Sequence, residues 1–418
     1  MGVVIIVIST VQNGKKGGNI MKKKVVSIVL STVIAGTLLA GCGSTAATTT
    51  DQATSATTAA ATEATSQAPA ATTEAATTEA AAEATSAAAT SETAPEPGKW
   101  SDEAAVQKAV DEGWEIAVVP KDSTNPWFVR MKDGVDTFAK ETGVDCYQVD
   151  TGTIDATHQA QQVDDLISQG VDAICVVPVD IESMDSILKK AKDAGITVIT
   201  HEGADLTNVD YDIEAFSNAG YGAFLMQNLA EAMGEEGTYT TMVASLTNGS
   251  HNEWADAAVA YQKENYPNMQ LLEANPRVES NDNGDTAYNV AKELIKTYPD
   301  LKGILGTSSF DAPGVARAID ELGLKDKFFT TGTGMPADNA QILKDGTVKS
   351  LTVWDPGKSG EAMVDLACKV LAGEAVEEPL NLDVEGYTAM THRAGTDTVF
   401  EGQGWVTVTA DNCDSFGF

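Results

Sequence analysis

Positive charge is what this sequence lacks most: 27 lysines and arginines stand against 61 aspartates and glutamates in 418 residues, a formal net charge of −34. A surface of that sign repels phosphate backbones and anionic headgroups, which excludes nucleic-acid binding and purely electrostatic attachment to a membrane. Cysteine is sparse. The five cysteines, Cys42, Cys146, Cys175, Cys368 and Cys413, show no CxxC pairing and no metal-ligand spacing, so neither a disulfide framework nor a zinc site is expected. Cys146, Cys175 and Cys368 lie in apolar segments and read as small buried thiols. Catalytic signatures are missing as well. There is no GxSxG, HExxH, P-loop or GxGxxG, and the four histidines, His158, His201, His251 and His392, have no ligand spacing. Thr331-Gly332-Thr333-Gly334 is too short and misplaced to cradle a phosphate. No enzyme, metal or cofactor is therefore expected. A DNA-binding regulator would need a basic helix-turn-helix ahead of its sheet, and that position holds apolar and acidic sequence instead.

The N-terminal hundred residues are of another kind. Met21-Lys22-Lys23-Lys24 followed by Val25 to Leu39 has the basic start and apolar run of an export signal. It closes on Leu39-Ala40-Gly41-Cys42, which resembles the lipobox of bacterial lipoproteins. That resemblance implies cleavage before Cys42 and lipidation of its thiol, with acyl chains holding the protein by roughly 0.8 kcal/mol per buried methylene. Residues 1–42 are thus expected to be a signal peptide. Residues 1–20 fit it poorly: Lys15-Lys16-Gly17-Gly18 can be encoded by a purine-rich stretch containing AGGAGG, so translation is expected to begin at Met21. Residues 43–99 are almost entirely Ala, Thr, Ser, Glu and Gln. Such a segment cannot bury enough apolar surface to offset its ordering entropy and reads as a disordered tether. Lipobox and long Thr/Ala tether together suit the extracytoplasmic face of a Gram-positive membrane.

From about Trp100 the composition is globular, and strand-like runs alternate with helical ones. Glu115 to Phe128 (EIAVVPKDSTNPWF) begins as a β-branched apolar run, is stopped by Pro120, and passes through turn-forming residues into an amphipathic helix carrying Met131, Val135 and Phe138. Further strands are expected at 145–150, 171–179 and 196–200, with helices over 158–170 and 181–195. A second set follows. Its strands are expected at 238–244, 271–274, 303–306, 327–331 and 347–353, and its helices at 219–233, 252–266, 285–298, 313–322, 337–344 and 358–371. Repeated βα units mean parallel sheets with right-handed crossovers, an α/β fold. Two such sets in one chain make the cleft between lobes the natural ligand site.

At this point the chain resembles a known family, the type I periplasmic solute-binding proteins, in their sugar-binding branch. The residues that carry the resemblance are PKDSTNPWF at 120–128, GVDAICVVPVD at 170–180, ITVITHEGAD at 196–205, NEW at 252–254 and DGTVKSLTVWDPGKSGE at 345–361. The last of these, with Phe416-Gly417-Phe418, is most similar to the rhamnose-binding and autoinducer-2-binding subgroup. The resemblance implies two Rossmann-like lobes joined by three crossings, near Ala215–Ser217, Val353–Asp355 and Leu380–Asp383. One lobe would hold 113–216 and 354–382, the other 217–353 and 383–418. It implies a monomer that captures a small sugar or polyol and delivers it to an ABC transporter permease. A receptor for a signal such as autoinducer-2 is the alternative.

The candidate ligand contacts lie at the carboxyl ends of strands, where open α/β sheets bind. Lys121 and Asn125 come from the first loop, with Trp127 or Phe128 as an aromatic face, unless both rings are core. His201 and Glu202 follow the fourth strand, Glu202 standing where the family usually has an aspartate. His251 and Asn252 open a helix; the autoinducer-2 subgroup carries an aspartate and a glutamine near 250 and 251, and this chain has Ser250 and His251. Ser308 and Ser309 follow the 303–306 strand. Asp355 follows Trp354 at a crossing, where it either grips hydroxyls or serves the hinge.

Overall fold

The computed structural model describes residues 103–418. The signal peptide, Cys42 and the 43–99 tether lie outside the described residues.

A first sheet is built from β1 (Glu115–Val119), β2 (Asp145–Gln148), β3 (Ala173–Val176), β4 (Thr197–Thr200) and β5 (Tyr211–Glu214). All pair in parallel, in the order β5-β4-β3-β1-β2. β3 is buried at all four positions, as a central strand covered on both faces must be. α1 (Glu103–Glu112), α2 (Pro126–Thr142), α3 (Ala156–Gln169) and α4 (Ile181–Asp193) accompany this sheet. The second sheet holds β6 (Gly237–Val243), β7 (Met269–Leu271), β8 (Arg277–Glu279), β9 (Leu301–Gly306) and β10 (Phe329–Gly332). β6 pairs with β7, β8 and β9, and β9 with β10, all in parallel. Its helices are α5 (Asn218–Met233), α6 (Gly249–Asn265), α7 (Gly284–Thr297), α8 (Asp311–Leu322) and α9 (Pro336–Lys344). The expected βα alternation is present. The 271–274 strand falls two residues earlier, and only the end of the 347–353 run pairs, as β11 (Leu351–Val353).

After β11 the chain returns to the first lobe as α10 (Pro356–Ala372), packed against α2. The approach is close enough that a Cβ on Gly134 would lie 2.0 Å from the Gly357 carbonyl oxygen. Glycine is required there for packing.

The tail departs from expectation. β12 (Thr391–His392) and β13 (Val399–Glu401) extend the first sheet, β13 pairing in parallel with β5 in the register Val399 to Asp212. Gly402 N–H then donates to Glu214 O at 2.9 Å and Gly404 N–H to Ala215 O at 2.7 Å, so the tail runs beside β5 as far as Gly404. Only then does β14 (Val406–Val408) join β11, antiparallel. The third crossing therefore lies at 402–405, not at Leu380–Asp383, and residues 383–404 belong with the first sheet. The physical reason is the backbone pairing itself, made by strands too short to leave a periodic signal.

Aromatic rings gather at the crossings. Phe216 lies 4.8 Å from Trp354 and 5.5 Å from Trp405, ring centre to ring centre, and Tyr221 and Trp254 complete the cluster. Edge-to-face arrangements of this kind stabilise beyond their buried area.

Candidate functional site

β1 ends at Pro120, and the loop behind it is shaped by its own side chains. Asp122 Oδ1 accepts the N–H groups of Thr124 (2.7 Å) and Asn125 (3.2 Å), and Asn125 Oδ1 caps α2 by accepting from Trp127 N–H at 2.9 Å. This turn holds Lys121 inward, where it is 3% exposed. Its ammonium meets Glu202, from the loop after β4, at 2.5 Å. Burial alone would push the Glu202 carboxyl up, but the Lys121 ammonium overrides it and holds the group at about 2.

The second lobe closes onto this pair. Ser250 Oγ lies 3.0 Å from Glu202 Oε2, at the start of α6. His251 Nε2 stands 4.0 Å from the same oxygen. His251 Nδ1 accepts the Ala244 N–H at 3.3 Å, so the neutral ring carries its proton on Nε2, toward Glu202. Burial, with Lys121 nearby, pushes this imidazole down to about 3. Asn125 Nδ2 reaches Ser309 Oγ across the cleft at 3.5 Å. The cavity is lined by Lys121, Asn125, Trp127, Phe128, Glu202 and His251, and by Trp254, Asp282, Thr307, Ser309, Thr333 and Trp354. Its volume is about 20 Å³, room for a single water. The conformation is closed, and any larger ligand requires the lobes to part.

Sequence reasoning thus brought Lys121, Asn125, Trp127, Phe128, Glu202, His251 and Ser309 to one cavity. Four other candidates stand elsewhere. His201 is a bolt behind the site: its Nδ1 donates to Ile213 O at 2.7 Å and its Nε2 accepts from Trp354 Nε1 at 3.3 Å. Asn252 donates to Ser245 O (2.8 Å) and Asn248 O (2.6 Å), accepts from Arg277 at 2.8 Å, and lines a separate groove. Ser308 acts through another residue, donating its hydroxyl to Asp282. Asp355 is the largest displacement. It caps α10 by accepting from Gly357 N–H at 2.8 Å and forms a two-pronged pair with Arg130 at 2.8 and 2.7 Å, partly in solvent.

Thr307 lines the cavity from the same loop as Ser308 and Ser309, while Asp282, Trp254, Trp354 and Thr333 are lining residues that sequence reasoning missed. Asp282 sits in a left-handed turn (φ 50) after β8, and nothing in its polar surroundings signals burial. Trp354 had a signal, an aromatic at a crossing, but Asp355 beside it drew the assignment. Asp311 Oδ2 receives the Thr307 and Ser308 N–H groups at 3.0 and 2.9 Å and so shapes the loop after β9; burial pushes its carboxyl up to about 7. Among the described residues no group of His, Cys, Asp and Glu is arranged to hold a metal ion, and no helix is long and apolar enough to cross a membrane.

Two lobes of parallel sheet with a polar, aromatic-walled cavity at the strand ends match a known architecture. Residues 116–375 match the periplasmic binding protein domain family. The chain belongs to that family. It is 26% identical over 274 residues to the ribose import binding protein of Salmonella typhimurium, covering 65% of this chain and 89% of that one. It is 27% identical to the D-ribose/D-allose-binding protein of Pseudomonas aeruginosa, covering 66% and 87%. Two solved structures share the fold at a TM-score of 0.66. LsrB from Clostridium saccharobutylicum in complex with AI-2 is 22% identical and covers 73% of this chain and 100% of that one. A solute-binding protein from Clostridium phytofermentas with bound L-rhamnose is 18% identical and covers 72% and 97%. These relatives are binding proteins and not enzymes, and the sugar-binding branch expected from the residues is the one they represent.

Proposed function

We propose that this protein captures a small sugar or polyol in the cleft and delivers it to an ABC importer, held at the extracytoplasmic membrane face by a lipid on Cys42 and the 43–99 tether. The observation that carries the reading is the Lys121–Glu202 pair, almost completely buried among aromatic rings, with the hydroxyl-bearing residues of the second lobe facing it. A polyol suits such a wall. Its hydroxyls both donate and accept, so they can engage ammonium, carboxylate, amide and imidazole at once, while its C–H faces lie on Trp127, Phe128, Trp254 or Trp354. Relatives named for ribose, allose and xylitol support this substrate class. Ser250 and His251 stand where the autoinducer-2 subgroup has an aspartate and a glutamine, which favours a sugar over that signal.

The test is a thermal-shift screen of the protein against pentoses, hexoses, deoxyhexoses, xylitol and AI-2. A ligand present at 100 times its Kd adds about 2.7 kcal/mol, which for a domain of this size raises Tm by roughly 3–5 °C. A sugar or polyol is expected to give that shift. A shift with AI-2 alone would reassign the protein to signal reception. No shift with any member would overturn the polyol reading.

A further inference from the structure

We propose, building on the polyol reading above, that Asp282 gives this cleft a preference for a polyol carrying one protonated amine, an amino sugar or aminopolyol, over its neutral parent. The cavity wall holds four groups able to carry charge: Lys121, Glu202, His251 and Asp282. Lys121 and Glu202 neutralise each other at 2.5 Å. His251 is neutral, because its Nδ1 is occupied as the acceptor of the Ala244 N–H. That leaves Asp282, from the second lobe, as the cavity's one unbalanced carboxylate.

Lys121 is the cation whose field reaches Asp282, and it is already paired with Glu202. Asp282 is 7% exposed, its side chain accepts the Ser308 hydroxyl, and no lysine, arginine or histidine stands within 4.0 Å of it among the described residues. A hydroxyl satisfies one lone pair and balances no charge. An unpaired buried carboxylate is costly, and a protein can relieve that cost by protonation or by bringing a cation to it. Burial does push the Asp282 carboxyl up, as expected of a group waiting for a partner. A ligand ammonium supplies that partner with a charge-assisted hydrogen bond. A neutral sugar offers only a hydroxyl, and a uronate places a second negative charge against the first. The ligand's other hydroxyls remain for Lys121, Glu202 and Asn125, so the same cleft still reads a polyol. Acidity alone does not make this argument. A donor left open on a lining residue also points to a ligand: Trp127 Nε1 is buried with no hydrogen-bond partner among the described residues, and a ligand oxygen would satisfy it.

The experiment is titration calorimetry of the protein with D-glucosamine, D-galactosamine and D-mannosamine, each beside its neutral hexose, with D-glucuronate and D-galacturonate as anionic counterparts. At least one amino sugar is expected to bind tenfold or more tightly than its neutral parent, and the uronates most weakly. In Asp282→Asn, which keeps the side chain's shape and the Ser308 contact, the amino and neutral sugars are expected to bind within about twofold of each other. Neutral hexoses binding as tightly as their amino forms in the unaltered protein would overturn the proposal and leave the polyol reading standing. A preference that survives Asp282→Asn would overturn the role of Asp282. If neither neutral nor amino hexoses bind, and the thermal-shift panel is also silent, the polyol reading and this inference fail together. The comparison within the unaltered protein decides the ligand class even if the variant does not fold.

Discussion

Two ion pairs sit behind strand ends in this molecule, in opposite surroundings. Lys121–Glu202 lies inside the cleft with both side chains at most 4% exposed, whereas Arg130–Asp355 lies at the second crossing with 28% and 21% exposed. Each acid follows a strand, and each looked like a ligand contact in the sequence. The difference is what the neighbouring backbone asks of it. Glu202 is followed by a loop and is free to point into the cavity. Asp355 is followed by Pro356 and a helix, whose unpaired N–H groups claim its carboxylate. Position at a strand end is therefore not enough to bring an acid into the cavity; the element after it decides.

The comparison can be broken most strongly at Lys121. Lys121→Met would leave Glu202 charged and buried without a charged partner, and such losses cost about 3–5 kcal/mol. Urea unfolding should show that loss, and Lys121→Met with Glu202→Gln should recover most of it. Next comes pH. Glu202 is held at about 2 against an ordinary 4.5. Its contribution is complete above the unfolded-state value and disappears as pH falls toward 2, a loss of about 3 kcal/mol. Unfolding free energies between pH 5.5 and 2.5 should fall less steeply in Glu202→Gln than in the unaltered protein. At the hinge the effect is smaller. Asp355→Ala removes a helix cap worth about 1 kcal/mol and a partly exposed pair worth at most about 1 more, with ligand affinity unchanged by calorimetry. Ser250→Ala removes only one hydroxyl facing Glu202, and should cost about 1 kcal/mol in denaturant unfolding.

Much of this was legible because β1, its loop and α2 announce themselves. An apolar β-branched run, Pro120, a turn-rich hexapeptide and an amphipathic helix placed Lys121, Asn125, Trp127 and Phe128 at one sheet edge, and the structure gathers all four there. Asp355 was legible too, but as a cap: an acid directly before a proline at the first helical position is an N-terminal signal. Asp282 was not legible. It stands in the polar run Ser280-Asn281-Asp282-Asn283, and its burial comes from strands and loops remote in sequence. The tail was illegible for another reason. β12, β13 and β14 contain two or three residues each, so backbone pairing with β5 and β11 places them without any side-chain period to read.

The most direct test is to measure Kd, by calorimetry, for the sugar that gives the largest thermal shift, in the unaltered protein, Glu202→Gln and Asp355→Ala. The account predicts that Glu202→Gln weakens binding by 100-fold or more and that Asp355→Ala stays within about twofold. Equal losses in both, or a larger loss in Asp355→Ala, would contradict a binding site built on the buried pair.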